Sequence, residues 1–405
     1  MDIALSYFVI KRFMKKSIKT FLKTAAKDYS SRSVNPPVVR ASTILFRSMQ
    51  ELRKHQKDIA KGKDVDHWDY GRQGTQTTVQ LQKLLRELEE AHQVFLTPTG
   101  FSAVALSIMS ICRPGDEIVI SDGVYRPTQK LTDDLLKEFK IKTIWYNPNS
   151  FEDLKNKITK KTKLIYVENP GSNTFEMQDL GKIVSLAKSK NIFTAIDNTW
   201  ATAYFFKPLK LGFDISITSA TKYYSGHSDV MGGTVAVNKN VYKKVWWYNH
   251  LSGYRLSPDD AYLIIRGLRT LDVRMDKHQE STKKVINFLK TQKKVSKILY
   301  PYKTSSKEFK LWKKYYSGAS GLVSIIVKSK SKNSVYKFVN TLELFGIGYS
   351  WGGFESLAVY TDPVELGNRR YFKMQKNEHL VRLHIGLEDP KDLISDIKSS
   401  LKLIK

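Results

Sequence analysis

Short apolar runs alternate with helix-length amphipathic segments from about residue 90 to residue 240. The runs are rich in Val, Ile, Phe and Thr and are bounded by polar residues, which is typical of strands. The predicted strands are Gln93–Thr97, Glu117–Ser121, Thr143–Tyr146, Lys163–Glu168, Phe193–Asp197, Ile215–Ser219 and Thr234–Asn238. The predicted helices between them include Ala103–Cys112, Thr128–Phe139 and Leu180–Lys190. Because helical crossovers join parallel strands, we predict an α/β fold with a large, mostly parallel sheet covered by helices on both faces.

The pattern changes near Asp272, where a long helical segment, Val273–Lys294, begins. Shorter strand candidates follow it, and a closing helix begins at Pro390. The strand candidates are Gly321–Val327, Leu357–Tyr360 and Val381–Ile385. This part of the chain therefore predicts a second, smaller α/β unit.

A chain of 405 residues with 41% hydrophobic residues is longer than one hydrophobic core usually serves. We therefore expect two domains behind an N-terminal arm. The expected boundaries place the extension and arm at 1–74, the domain of the large sheet at 75–271 and the C-terminal domain at 272–405. The sequence contains no internal repeat and no cluster of metal-ligand residues.

The start of the chain does not resemble an export signal or a membrane anchor. Ile3–Ile10 is apolar, but it is far shorter than the ~20 residues that a membrane span requires, and basic residues follow it instead of preceding it. We interpret this region as an extension; a presequence of the mitochondrial type over Lys11–Lys27 and a true start at Met14 stay open. The single cysteine, Cys112, excludes an intrachain disulfide and suits a reducing compartment.

The chain is strongly basic, with 67 Lys and Arg against 39 Asp and Glu and a net charge of +28. Such a charge would attract nucleic acid, anionic membranes or anionic ligands. The excess is spread along the whole chain and forms no arginine-rich tract. We interpret it as a solvated surface and expect neither a specific nucleic-acid partner nor a membrane.

One lysine, Lys222, lies just beyond the predicted strand Ile215–Ser219, in a turn rich in hydroxyl groups and glycine, and Asp197 ends another predicted strand. Ligands of parallel sheets bind at the carboxyl ends of strands, so we expect both side chains at one site. Pyridoxal phosphate (PLP) requires an amine that forms an imine with its aldehyde, donors for its phosphate and a carboxylate that keeps its pyridine nitrogen protonated. These residues therefore predict a PLP site.

Several weak donors are candidates for the phosphate. Gly100 and Phe101 precede an apolar helical run, so their backbone N–H groups would form a helix N-terminus, which favours an anion. Ser219 and Thr221 flank the lysine turn and would add hydroxyl hydrogen bonds.

Eight motifs, in order from about Pro36 to the C-terminus, resemble the Cys/Met-metabolism family of fold-type I PLP enzymes. Within that family the pattern is most similar to the bacterial cystathionine β-lyases. The motifs are Tyr70-Gly71-Arg72, Thr99-Gly100-Phe101-Ser102-Ala103, Glu168-Asn169-Pro170-Gly171-Ser172, Ile196-Asp197-Asn198-Thr199-Trp200, Ala220-Thr221-Lys222-Tyr223, Arg266-Gly267-Leu268-Arg269-Thr270-Leu271, Tyr349-Ser350-Trp351-Gly352-Gly353-Phe354-Glu355-Ser356 and Arg382-Leu383-His384-Ile385-Gly386. The resemblance implies a fold-type I PLP enzyme of the bacterial cytoplasm.

The resemblance also implies roles around the cofactor. Lys222 would form the imine and then act as the base that removes the substrate α-proton. Asp197 would pair with the pyridine nitrogen, and Tyr125 would stack on the ring and assist proton transfer. Tyr70 and Arg72 would reach the phosphate from a neighbouring subunit, which implies a homotetramer built from dimers with shared active sites.

The substrate residues follow from the same resemblance. Arg382 would bind the α-carboxylate through a planar, bidentate pair that lysine does not reproduce. Ser350 would add a backbone contact to that carboxylate, and Trp351 would line the wall behind it. Enzymes that act at the γ-carbon typically have Glu-Ser-Leu-Gly-Gly where this chain begins with Tyr349. The pattern thus implies β-elimination of an amino-acid thioether, with L-cystathionine giving homocysteine, pyruvate and ammonia in methionine biosynthesis.

One departure and three alternatives remain. Arg126 and Lys130 replace the acidic residues expected in the most similar β-lyases, and either one would disfavour a distal ammonium group if it faced the pocket. The same site would also suit an alanine racemase, or a γ-lyase or γ-synthase. A basic binding protein without enzymatic activity is the third alternative.

Overall fold

The structure is a computed structural model that describes residues 16–26, 32–60, 69–302, 307–362, 366 and 369–405. The apolar run Ile3–Ile10 and Met14 lie outside the described residues. No helix in the described part of the chain is long and apolar enough to cross a membrane.

A large sheet forms the centre of the first part of the molecule. Its strands are β1 (Gln93–Thr97), β2 (Glu117–Ser121), β3 (Lys142–Tyr146), β4 (Thr162–Glu168), β5 (Phe193–Asp197), β6 (Ile215–Ser219) and β7 (Gly233–Val237). Their order is β1-β7-β6-β5-β4-β2-β3, and β7 alone runs antiparallel to its neighbours. All five residues of β2 and of β7 are buried, as expected of strands covered on both faces.

A second sheet lies in the C-terminal part. Its strands are β8 (Val295–Leu299), β9 (Leu322–Lys328), β10 (Phe345–Gly346), β11 (Ser356–Thr361) and β12 (Glu378–His384). Their order is β10-β11-β12-β9-β8, and all pairings except β10 with β11 are antiparallel. The predicted combination of a large, mostly parallel sheet and a smaller sheet is confirmed.

Helices cover both sheets. They are α1 (Ile18–Thr24), α2 (Met49–Ala60), α3 (Gln76–Glu89), α4 (Gly100–Met109), α5 (Arg126–Lys130), α6 (Leu136–Glu138), α7 (Phe151–Lys157), α8 (Leu180–Ser189), α9 (Thr202–Phe205), α10 (Pro208–Leu211), α11 (Tyr242–Ser252), α12 (Pro258–Leu268), α13 (Leu271–Leu289), α14 (Lys307–Tyr315), α15 (Lys332–Asn340) and α16 (Pro390–Leu401). In α3, Leu81, Leu84, Leu85 and Leu88 repeat at helical spacing and are all buried, so this face packs into the core.

Element boundaries follow the predictions closely, with local corrections. The predicted helix Thr128–Phe139 begins instead at Arg126, because Pro127 suits the first turn of a helix, and a π-helical turn, Leu131–Leu135, interrupts it. The long helix predicted to reach Lys294 ends at Leu289, and the chain turns there into β8.

Part of the N-terminal extension docks on this chain's own second half. Leu22 of α1 is fully buried, and Lys19 and Lys23 form ion pairs with Asp276 and Asp272 of α13 at 2.7 and 2.5 Å. The fold thus ties residues 16–26 to the helix that joins the two sheets.

Candidate active site

A cavity of about 460 Å³ opens where β4, β5 and β6 end, between the large sheet and the loop that precedes β11. Every predicted site residue except Tyr70 and Arg72 lines it. These residues are Gly100, Phe101, Tyr125, Asp197, Ser219, Thr221, Lys222, Tyr349, Ser350, Trp351 and Arg382. The fold therefore brings together side chains that are up to 282 residues apart in sequence, from Gly100 to Arg382.

Lys222 lies in the turn that follows β6. Its Nζ donates a hydrogen bond to Ser350 Oγ and lies 5.4 Å from the centre of the Trp351 ring. Burial, together with the nearby positive charge of Arg382, lowers the pKa of Lys222 to about 8, although Asp197 opposes the shift. The amine is therefore easier to deprotonate than an exposed lysine, as a base or nucleophile requires.

Asp197 is the last residue of β5, and its carboxyl faces the same cavity. Its Oδ1 accepts a hydrogen bond from Thr199 N at 2.9 Å. Burial raises the pKa of Asp197, and the hydrogen bonds from Thr199 and the charge of Lys222 offset only part of that shift. A buried carboxylate of this kind is stabilised by a cationic partner, which a protonated pyridine nitrogen would provide.

The start of α4 offers backbone donors. The Oγ1 atom of Thr99 accepts from Ser102 N, and Ser102 Oγ accepts from Thr99 N, both at 3.0 Å. This capping uses the third N–H of the helix, so the N–H groups of Gly100 and Phe101 have no partner within the helix. A side chain at residue 100 would place its Cβ 2.4 Å from Ser219 Oγ, so only glycine allows this close approach.

The two hydroxyl groups of the lysine turn differ. Ser219 lies against Gly100, beside the free N–H groups of α4. The Thr221 hydroxyl donates to Gly232 O at 3.2 Å and accepts from Gly232 N at 3.0 Å. Thr221 lines the cavity, but its hydroxyl already serves the backbone in this structure, so its predicted bond to the phosphate stays a prediction.

Arg382, on β12, faces the loop 349–353. One of its terminal nitrogens donates to Gly348 O at 3.3 Å and to Ser350 O at 3.1 Å. Ser350 has a φ of +82°, in the left-handed region that a serine rarely adopts. Ser350 thus contacts both predicted partners of an amino-acid substrate, Lys222 through its hydroxyl and Arg382 through its carbonyl.

Sequence reasoning gave no role to Glu168, which also lines the cavity. Its Oε2 accepts from Tyr125 N at 2.6 Å, and Glu168 pairs in register with Asp197 across β4 and β5. Burial and the charge of Asp197 raise the pKa of Glu168 well above its usual range. Its position at the end of a predicted strand was the signal that could have identified it.

Tyr70 and Arg72 lie away from the cavity of their own chain. The Tyr70 side chain is 48% exposed, and its backbone forms an isolated bridge with Thr43. Arg72 donates to His250 O at 3.2 Å. Their predicted approach to a neighbouring subunit's phosphate stays a prediction.

The two unexpected basic residues are not in the cavity lining. Arg126 is the first residue of α5 and is half-buried, and Lys130 ends that helix and is exposed. Neither residue is among those that form the cavity wall. In the described chain, Arg126 and Lys130 therefore do not face the cavity, which was the condition for repelling a distal ammonium group of the substrate.

Comparison with known proteins gives consistent results. A family model described as Cys/Met metabolism PLP-dependent enzyme matches residues 19–402. A relative from Haemophilus influenzae named cystathionine beta-lyase is 37% identical over 93% of this chain and 96% of its own. A relative from Wolbachia pipientis named L-alanine/L-glutamate racemase is 34% identical over 92% of this chain and 93% of its own. The structure of cystathionine gamma-lyase from Lactobacillus plantarum has a TM-score of 0.86 and 27% identity, covering 96% of this chain and 99% of that one.

The donor set of the cavity fits PLP in each part: an amine with a lowered pKa, a buried carboxylate and a helix N-terminus whose approach only glycine permits. The family match confirms the predicted cofactor, the fold class and the resemblance, and it rules out the alternative of a binding protein without enzymatic activity. The chain belongs to the Cys/Met metabolism PLP-dependent enzyme family.

Proposed function

We propose that the protein is a carbon–sulfur β-lyase that cleaves L-cystathionine with water to homocysteine, pyruvate and ammonia, as a step of methionine biosynthesis. The observation that supports this most directly is the placement of Lys222, with its lowered pKa, between Asp197 and Arg382 in one cavity. The relative from Haemophilus influenzae named cystathionine beta-lyase, at 37% identity, favours this substrate.

PLP, when bound, would supply an aldehyde for the substrate amine and a ring that withdraws electrons from the α-carbon. Asp197 keeps the ring nitrogen protonated, which strengthens that withdrawal. The N–H groups of Gly100 and Phe101 and the hydroxyl groups of Ser219 and Thr221 would hold the phosphate.

Lys222 would hold PLP through its amine, and as a neutral amine it would remove the substrate α-proton. Its lowered pKa keeps a useful fraction of this amine neutral near neutral pH. With PLP bound, the electron pair left at the α-carbon would be available to expel the sulfur from the β-carbon as a thiolate.

Arg382 binds the substrate α-carboxylate while Gly348 O and Ser350 O, which one of its terminal nitrogens contacts, hold the guanidinium in place. Trp351 and Tyr349 form the wall on this side of the cavity. Fixing the carboxylate places the α-proton within reach of Lys222, which is the geometric requirement for general base catalysis.

Tyr125 lines the cavity, where it would cover the cofactor ring and assist proton transfer from the substrate amine. The hydrogen bond from its backbone to Glu168 fixes its place at the start of α5. Replacing Tyr125 with Phe is expected to lower turnover while the absorbance of the bound cofactor is kept. Turnover equal to wild type would discard the proton-transfer role.

We further propose a homotetramer made of dimers, in which Tyr70 and Arg72 complete the phosphate site of the neighbouring subunit. Both residues are accessible at the surface of a single chain and lie outside its own cavity.

We propose domain limits at 75–271 and 272–405, with 1–74 as the arm. We also propose a bacterial cytoplasmic location, which suits the buried free thiol of Cys112.

The test is product analysis with PLP-loaded protein and L-cystathionine. We expect pyruvate and homocysteine in equal amounts, and neither product from Lys222→Ala. A yellow protein that yields 2-oxobutyrate would indicate γ-chemistry, and one that yields no product would overturn the substrate assignment.

Racemisation of alanine is the second candidate, favoured by the relative named L-alanine/L-glutamate racemase at 34% identity. Lys222 and Tyr125 line the same cavity, so two groups are available to remove and return an α-proton. Formation of D-alanine from L-alanine during long incubation of the holoenzyme, absent in Lys222→Ala, would support it. No D-alanine would exclude it.

A further inference from the structure

The loop 349–353 is attached to the end of β12 through a buried histidine. His384 lies two residues after Arg382 and is fully buried. Its Nε2 lies 3.1 Å from Gly352 N and 3.2 Å from Gly353 O. The side chain therefore meets the loop two residues from Ser350, the residue that contacts both Lys222 and Arg382.

A second buried histidine supports the first. His278, on α13, has its Nδ1 2.8 Å from Ile385 O, and its ring centre is 5.2 Å from that of His384. Tyr223, next to Lys222, packs against His278 at 5.2 Å and against Trp351 at 5.5 Å. The two rings thus form a layer beneath the loop, which connects it to the helix between the sheets.

Burial keeps both rings neutral. Burial and the neighbouring His278 lower the pKa of His384 well below its usual range, and burial lowers the pKa of His278 to about 4. A neutral imidazole has one donor and one acceptor nitrogen. His384 Nε2 therefore serves the loop in one of two ways at a time: it accepts from Gly352 N–H or donates to Gly353 O.

We propose that His384 is a positioning residue that holds the loop 349–353 in the conformation in which Ser350 meets Lys222 and Arg382. Ser350 has a left-handed φ of +82°, which its own side chain does not favour, so an external attachment is needed. The inference rests on the proposed function, in which Arg382 binds the substrate carboxylate.

Loss of the imidazole would leave a polar backbone group of the buried Gly352 or Gly353 without its partner. An unsatisfied buried group is costly enough for the loop to move toward solvent instead. Ser350 would then leave Arg382, and the carboxylate site would lose its shape. We expect carboxylate binding to weaken about tenfold, which corresponds to one such hydrogen bond.

A matched pair of variants tests this. His384→Gln and His384→Met have side chains of nearly equal length, and the Gln amide reaches the position of Nε2, whereas the Met thioether forms no comparable hydrogen bond. The readouts are the dissociation constant of glycine for each holoenzyme, measured by cofactor absorbance, and KM and kcat for L-cystathionine. We expect Gln to stay within about twofold of wild type and Met to weaken glycine binding about tenfold, with KM affected more than kcat.

His379 provides the control, because it lies on the same strand and bonds Tyr360 and Ser329 away from the cavity. His379→Gln and His379→Met should both leave glycine binding unchanged.

If His384→Met does not fold, His384→Asn replaces it, since the shorter Asn amide does not reach Gly352. Equal glycine binding by the Gln and Met (or Asn) variants would overturn the inference, even if wild type cleaves cystathionine. Wild type that binds glycine but releases no pyruvate would overturn the proposed function alone.

Discussion

At the residue scale, the buried carboxyl of Glu89 is outside the catalytic cavity but directly behind the lysine turn. Tyr224, two residues after Lys222, donates to Glu89 Oε1 at 2.6 Å, and Ser216 donates to Oε2 at 3.3 Å. Burial raises the pKa of Glu89 from 4.5 to about 7, and the two hydrogen bonds offset only part of this shift. The folded protein thus retains a proton on Glu89 at a pH where the unfolded chain has lost it.

The raised pKa of Glu89 determines the direction in which pH changes the stability of the folded protein. Because the folded-state pKa of Glu89 is raised, the contribution of protonated Glu89 to the free energy of unfolding is fully present below pH 4.5. This contribution is lost as the pH rises through about 7. Glu89→Gln mimics the protonated form at every pH. We expect the variant to gain stability relative to wild type as the pH rises, by about 2 kcal/mol between pH 5 and pH 8.

Thermal unfolding of both proteins across that range measures the difference. Glu87→Gln is the control for removing one glutamate charge, since Glu87 lies exposed on the same helix. A Tm difference for Glu89→Gln that grows with pH no more than that of Glu87→Gln would contradict the raised pKa of Glu89.

At the scale of elements, strands were predictable where a run of apolar residues ends in polar ones. Four strands of the large sheet, β1, β2, β5 and β6, have the predicted bounds, because short segments with apolar and β-branched residues and a polar residue at the carboxyl end mark buried strands. The two-residue strand β10 and the π-helical turn have no such pattern, because tertiary packing and not periodicity sets them. Glu168 ends a predicted strand, but its contact with Asp197 was missed because the two residues become adjacent only when β4 and β5 pair.

The loop 349–353 also depends on one glycine. Gly352 has a φ of +88°, and a Cβ there would lie 3.0 Å from both Lys222 Cβ and Tyr223 N. Gly352→Ala therefore adds backbone strain and a collision with the lysine turn. We expect kcat/KM for the lyase reaction to fall about tenfold or more, since the conformation alone costs about 1–2 kcal/mol.

Steady-state kinetics of Gly352→Ala and Gly348→Ala test this expectation. Gly348 is in the same segment, and nothing lies within 4 Å of a Cβ added there, so its Ala variant should retain wild-type kinetics. Similar losses in both variants would show that the loop needs general flexibility and not the specific close approach at Gly352.

At the scale of the whole molecule, the cavity is made of segments from both sheets, so no local sequence pattern alone assembles it. Hydrophobic periodicity placed Lys222 and Asp197 at strand ends, but Arg382 and the loop 349–353 were placed at the site only through the resemblance of ordered motifs. In the fold of one chain these segments line one cavity. In that chain Tyr70 and Arg72 are exposed and lie outside the cavity. Their proposed role therefore depends on the association of two chains.

If Arg72 serves the neighbouring cavity, two inactive variants will restore each other. In a mixed dimer of Lys222→Ala and Arg72→Ala chains, the cavity of the Arg72→Ala chain retains Lys222 and receives an intact Arg72 from its partner. The other cavity has both defects. We expect each variant to be inactive or strongly impaired alone and the mixed dimer to show about half of the wild-type activity, because charge-assisted contacts to the phosphate are restored in one of its sites.

Co-expression with two affinity tags isolates the mixed dimers for assay. Mixing Lys222→Ala with Asp197→Ala is the control, because both residues line the same cavity of one chain and exchange leaves every site defective. Restoration in the first mixture alone would establish a shared site. No restoration would mean that Arg72 acts within its own chain. Full activity of Arg72→Ala alone would mean that Arg72 does not bind the phosphate, because loss of a guanidinium that binds the phosphate would weaken the binding of the cofactor.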